Sequence, residues 1–285
     1  MRKWLLWMCM GMAGVAPAQS VELGLLIGGS LYSGDLSPKE FGVYFQEISP
    51  AGGVFGRFNV QDALSVRVGV SMGKISGTGD TTATVIRQSF RSNIAELALN
   101  AEVHPFSFGN DNFRVRPYVF GGVAGFQFNP QAQFDGSWID LQALGTEGQG
   151  LPGYEAPYRL TQISLPFGGG IKFVVHDTWA IGLEFGWRAT FTDYLDDISS
   201  TQVRYIDVYE GNGRIAAQVS NALIPGPESG EVVYKRGGEF RDWYYLGGIT
   251  LSYFLGGSSG YGGSSAKRYP GGRKRGKPIG CPTFR

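Results

Sequence analysis

The chain has 285 residues, a formal net charge of +1, 45 glycines, 14% aromatic residues and two cysteines. So even a charge balance names no acidic partner. No apolar run reaches the roughly 18 residues that a membrane helix needs, and the glycine and aromatic content suits a β-rich envelope protein better than a helical enzyme.

Residues 1–18 read as a secretory signal. Arg2 and Lys3 supply the positive region, Trp4 to Val15 the apolar region, and Ala16-Pro17-Ala18 the small-residue cleavage site. The mature chain would then start at Gln19. Cys9 lies inside this signal, so the mature chain keeps only Cys281, which excludes an internal disulfide and a cysteine-based zinc cluster.

From Val21 onward the pattern has a period of two, the signature of β-strands whose side chains alternate between faces. The first strand sets Val21, Leu23, Leu25 and Ile27 against Glu22, Gly24, Leu26 and Gly28. The second, Ser49 to Val60, is Gly-rich and ambiguous in phase. The third sets Leu64, Val66, Val68, Val70 and Met72 against Ser65, Arg67, Gly69, Ser71 and Gly73. In the fourth, Ala95 to Val103 alternates with Ile94, Glu96, Ala98, Asn100 and Glu102. The fifth spans Arg114 to Phe128 and the sixth Leu160 to Val175, with Lys172 on its polar side. The seventh, Trp179 to Thr192, is the clearest. Trp179, Ile181, Leu183, Phe185, Trp187, Ala189 and Phe191 oppose small residues together with Glu184 and Arg188. The eighth is Trp243 to Leu255.

A long strand with one apolar face and aromatic residues near both ends fits a membrane-spanning strand, which needs about 9–11 residues. The connections alternate. Short turns at Asn59–Asp62, His104–Phe113 and His176–Asp177 are interleaved with long loops at about 31–47, 74–92, 129–159 and 193–241. This is the pattern of outer-membrane barrels. The expected fold is all-β, an eight-stranded antiparallel transmembrane β-barrel over residues 19–255. Its long loops would be extracellular and both of its ends periplasmic. Phase puts Glu22, Arg67, Glu96, Glu102, Lys172, Glu184 and Arg188 in the interior as a charge network. An eight-stranded barrel is wide enough only to be filled by side chains, so this predicts a plug and not a porin.

Residues 256–285 differ in composition. A Gly/Ser linker, flexible by composition, leads to Lys267, Arg268, Arg273, Lys274, Arg275, Lys277 and Arg285, with no acid among them. Such a periplasmic tail suits anionic lipid or an acidic protein surface, and export argues against nucleic acid. Cys281, an odd thiol in an oxidising compartment, is a candidate for an intermolecular disulfide with a periplasmic partner.

Asp193, Asp196 and Asp197 form an acidic cluster just past strand seven. Without D-x-D-x-D spacing it reads as a solvated or salt-paired rim cluster before a cation site. His104 and His176 both fall at short turns, on the expected periplasmic edge, so no catalytic residue, cofactor or metal is expected. Gly168-Gly169-Gly170 is followed by no G-K-[ST], so it reads as close strand packing and not as a phosphate loop.

Several segments, in order along the mature chain, resemble the PorG family of the type IX (Por) secretion system. They are Tyr118 to Gly122 (YVFGG), Phe128-Asn129-Pro130, Trp138 to Gly150 (WIDLQALGTEGQG), Phe167 to Lys172 (FGGGIK) and Phe191 to Ser200 (FTDYLDDISS). The resemblance implies a small, non-enzymatic outer-membrane barrel tied to a periplasmic ring of two subunits, the lipoprotein PorK and PorN. That ring belongs to a machine exporting proteins that carry a C-terminal secretion signal. A stand-alone structural or adhesive barrel of OmpA/OmpX type, a lipid-modifying barrel enzyme and a soluble barrel with an apolar interior are the alternatives.

Overall fold

The computed structural model describes residues 20–37, 42–78, 89–110, 113–176, 178–224, 226–229 and 231–255. The signal peptide, Asp177, the Gly/Ser linker and the basic tail with Lys267, Arg268, Arg273, Lys274, Arg275, Lys277 and Cys281 lie outside the described residues.

Eight long strands make the body: β1 (Ser20–Ser33), β2 (Ser49–Gln61), β3 (Leu64–Thr78), β4 (Ser89–Val103), β5 (Phe113–Phe134), β6 (Thr161–Val175), β7 (Trp179–Thr190) and β8 (Trp243–Leu255). Each pairs antiparallel with the next in sequence, and β8 closes on β1 with Leu25 opposite Leu251 and Ile27 opposite Ile249. Closure removes both sheet edges, so every central backbone group can be satisfied within the wall. The chain's described ends and the three short connections share one end of the barrel; the four long loops share the other.

The polarity of the wall is inside out. Outward positions are apolar and exposed on every strand: Ile27 at 72%, with Val54, Met72, Leu97, Val119, Ile163, Leu183 and Ile249. Inward positions carry buried charge, including Glu22, Arg67, Glu102 and Lys172. So large an apolar girdle is stable only against hydrocarbon. It is the opposite of a soluble barrel with an apolar interior. Aromatic residues flank the band. Trp179 and Tyr253 meet edge to face at the short-turn end, with rings 4.9 Å apart, and Phe167 stacks on Trp187 at 5.8 Å toward the long-loop end.

Three stretches expected as loop are partly folded. β3 and β4 continue to Thr78 and from Ser89. β5 runs 22 residues and turns through Asp135 and Gly136, both at positive φ, into a short strand at Ser137–Asp140. The last long loop holds helices α1 (Tyr205–Gly211) and α2 (Arg214–Ser220), and a two-stranded ribbon of Gln202–Arg204 with Val233–Lys235. Val203, Tyr205, Val208, Ala216, Ala217 and Ile224 give this cap its own small core.

Replacing Ile27, near the middle of β1, by Arg would set a guanidinium against hydrocarbon. The variant is expected to lose about 2–4 kcal/mol of folding stability in lipid vesicles, read from the urea midpoint of its heat-shifted gel band. An unchanged midpoint would contradict the outward placement.

Candidate functional site: the filled lumen and its cap

The inward faces divide into three tiers. In the lowest, toward the short-turn end, the register brings six charged side chains into one chain of contacts. Arg57 Nε donates to Glu102 Oε2 at 2.6 Å and its Nη1 to Glu22 Oε2 at 2.6 Å. Lys172 Nζ donates to Glu22 Oε1 at 2.7 Å. Arg67 contacts Glu102 Oε1 at 3.0 Å and grips Glu184 with both terminal nitrogens. Asn59 and Ser252 fill the remaining positions on Glu22, and the Tyr118 hydroxyl donates to Glu184 at 2.6 Å. Phe55 and Phe120 lie under the two guanidiniums at about 5 Å. Just above, Arg188 clamps Glu96 at 3.1 and 3.2 Å, and the Tyr244 hydroxyl joins at 2.7 Å. Buried charge survives only when paired and hydrogen-bonded, and both conditions are met here.

The structure thus places Glu22, Arg67, Glu96, Glu102, Lys172, Glu184 and Arg188 inside the barrel, all buried. It adds Arg57, Arg116, Tyr118 and Tyr244, which sequence reasoning missed. Arg57 sits in the Gly-rich second strand, where Ala51-Gly52-Gly53 hides the phase, although Phe55, Arg57 and Asn59 alternate cleanly with Val54, Gly56 and Phe58. His104 lies at the short-turn end, just past β4, and is buried at 3%, with Nε2 3.6 Å from Glu102 and its ring 5.4 Å from Tyr118.

The middle tier is apolar. Tyr32, Ile75, Phe90, Ile94, Phe126, Phe128 and Leu246 point inward and pack against Leu36, Tyr158, Leu195 and Ile198 from the loops. Among the described residues, the long loops after β1, β5 and β7 are therefore bolted into the barrel mouth.

The top tier is acidic, and of the two arms of the expectation, solvated or salt-paired, the solvated one needs correction. Asp196 and Asp197 are fully buried; only Asp193 is partly exposed. Asp197 is salt-paired, lying 3.6 Å from Arg236, and it accepts the Tyr158 hydroxyl at 2.6 Å and that of Thr146. Glu147 accepts from the Ser199 amide at 2.9 Å and the Ser199 hydroxyl at 2.5 Å. Tyr32 Oη lies 2.6 Å from Asp196 Oδ2 and 3.0 Å from Asp242 Oδ1. One hydroxyl carries one proton, so when both contacts are hydrogen bonds one of the two carboxyls must be protonated. Burial, with Asp35 beside it, pushes Asp196 well up; burial, with Asp196, Asp35 and Asp193, does the same to Asp242. Burial raises Glu147 to about 7 against the pull of Arg236, and burial with Asp35 raises Asp193 to about 6. Among the described residues no group of three or more metal-ligating side chains is arranged to hold an ion.

A closed wall with hydrocarbon outside, paired charge inside and a plugged mouth defines a small transmembrane β-barrel of the eight-stranded outer-membrane class. The chain belongs to the family described as Domain of unknown function (DUF6089), whose model matches residues 2–215, through α1 and into the first turn of α2. No curated protein matches it. Among solved structures it is similar to the N-terminal β-barrel domain of Pseudomonas aeruginosa OprF, at 13% identity and a TM-score of 0.35, covering 83% of this chain and 97% of that one. It is also similar to Ail, the attachment invasion locus protein of Yersinia pestis, in complex with the heparin analogue sucrose octasulfate, at 10% identity, TM-score 0.35, and 83% and 97% coverage. Neisserial surface protein A matches at 11% identity, TM-score 0.35, and 82% and 95% coverage.

Two outcomes follow from the tiers. Arg57→Ala would leave Glu22 and Glu102 buried beside a lost partner and is expected to cost about 3–5 kcal/mol, measured by the same urea titration. The cap acids have raised folded pKa values, so their contribution is complete below their unfolded values and is lost as pH rises through about 6–7 and beyond. Hydrogen exchange at Leu195 and Ser199, corrected for the intrinsic rate, should show weaker protection at about pH 8 than at about pH 5. Equal protection would mean that the acids do not hold the cap.

Proposed function

We propose that this protein is a non-enzymatic outer-membrane anchor for a periplasmic assembly of the type IX secretion system, with the long-loop end extracellular and the short-turn end periplasmic. The partners are a PorK-like lipoprotein and a PorN-like ring subunit. The observation that carries the anchoring role is the filled lumen. Paired charges, an aromatic layer and the seated loops occupy it from end to end, so the work falls to the barrel's ends and outer wall. The resemblance to the PorG family gains support from position. Its two most specific segments meet in the cap, where Thr146 and Glu147 of LGTEGQG bond Asp197 and Ser199 of FTDYLDDISS. The basic tail and the short turns are the surfaces offered to the ring, and Cys281 is the candidate for a covalent link.

A second reading, a structural or adhesive surface barrel, is favoured by the exposed apolar side chains of the cap, Ile215, Leu223, Val233 and Phe240. Genetic loss that leaves secretion intact would favour it.

The test is recovery of the ring in a detergent pull-down analysed by mass spectrometry. Deleting 267–285 should leave the barrel in the membrane fraction and reduce recovery of the ring; unchanged recovery would remove the tail from the mechanism. Non-reducing gels of wild type and Cys281→Ser should differ by one cross-linked band, and identical patterns would dismiss the disulfide.

A further inference from the structure

One part of the outer wall breaks the apolar girdle. Register across β3, β4 and β5 stacks three outward rows. The uppermost is Ser76, Arg91 and Gln131, continued by Asp140; the next is Lys74, Asn93 and Asn129; the third is Gly52 of β2 with Met72, Ala95 and Gln127. Below them Val54, Val70, Leu97 and Gly125 return to hydrocarbon chemistry. On the opposite side, outward positions in the same half of the wall are Phe167, Trp187, Trp243 and Tyr245, with no cation among them. Polar chemistry at this level is therefore confined to one face.

The face is also hollow. Pro50, Gly52, Met72, Lys74, Ala95 and Asn129 line a groove of about 640 Å³, with small side chains on its floor and Lys74, Asn93 and Asn129 along its upper lip. Arg91 is held above the lip by Gln131, whose Oε1 accepts from Nε at 2.8 Å, and by the Trp138 ring 4.1 Å from the guanidinium carbon. Asp140, the carboxylate on this rim, is engaged by the amides of Asn129 at 2.9 Å and Gln131 at 2.7 Å. Neither Lys74 nor Arg91 forms an ion pair among the described residues. Strand spacing and rise put their Cα atoms roughly 8 Å apart, within reach of one headgroup.

We propose that this face binds a phosphate-bearing, acylated lipid of the outer leaflet. Lys74 and Arg91 take the phosphate, Asn93 and Asn129 offer amides to the headgroup oxygens, and an acyl chain descends the groove over Gly52, Ala95 and Gly125. Charge complementarity selects the occupant. Two cations sit at the level where apolar side chains give way to polar ones, which is where the phosphates of a leaflet lie. The placement in the outer leaflet rests on the orientation proposed above. The test reads lipid retention and not ring recovery, so the two can fail separately.

The experiment is native mass spectrometry of the full chain in detergent, titrated with dipalmitoyl phosphatidic acid or with dipalmitoyl glycerol. The phosphatidic acid should be retained at lower concentration than the uncharged lipid. Lys74→Gln and Arg91→Gln should each weaken that retention about fivefold, while Lys74→Arg should preserve it and guards against a folding defect in the Gln variant. Inorganic phosphate, which lacks acyl chains, should not compete. Equal retention of both lipids, unchanged retention in both Gln variants, or competition by free phosphate would overturn the proposal. So would a second copy of the chain held at this face in place of lipid, seen as a dimer mass lost in Lys74→Gln.

Discussion

Arg57 has no water to turn to. It is 1% exposed inside a lumen filled by side chains, and its charge is tolerable only because Glu22 and Glu102 lie 2.6 Å away on either side. That pairing depends on register. A slip of one residue between any two strands would rotate one wall by a full phase, carrying glutamates and arginines out into lipid and leucines into the lumen. Each pairing of the network is thus also a statement about strand alignment. Arg57 faces its β1 counterpart Glu22 in the β1–β2 ladder and its β3 counterpart Arg67 in the next. The apolar outer wall and the ionic interior are two sides of one alternation, and neither is stable without the other.

Much of this alternation is legible in the chain because a membrane barrel separates chemistry by parity. Trp179 to Arg188 and Leu64 to Gly73 announce both their strand and their face. What parity cannot reveal is where an inward residue is large and apolar. Phe126, Phe128, Phe90 and Ile75 belong to the lumen, yet they blur the contrast between faces and so hid the middle tier. Glycine hides phase from the other direction, which is why Arg57 went unread. The cap was legible only as a length of loop. Asp196 and Asp197 look solvated in sequence because nothing local to FTDYLDDISS says that Tyr32, Tyr158, Arg236 and Asp242 will close over them. Those partners come from other strands and other loops.

The cap changes how the molecule presents itself. Loops of this length would be expected to wave above a barrel. Here the described loop residues carry two helices and a ribbon with a small core of their own, and an acid cluster above an aromatic floor. With the lumen filled, the barrel resembles a rivet whose head, shaft and foot offer three separate contact zones: the cap at one end, the wall to lipid, and the short turns at the other end.

The seam between the first and last strands carries a consequence for assembly. Glu22 reaches its Lys172 and Ser252 contacts across 150 and 230 residues of sequence. Early in folding, Arg57, 35 residues away, is its only accessible cation in this network. A partly inserted sheet would therefore expose unneutralised carboxylate and unpaired strand edges to hydrocarbon together. Contacts this distant form slowly, because the closure entropy must be met before they contribute. The chain has to be kept unfolded and out of lipid until β8 has been delivered, and then close and insert in one cooperative event.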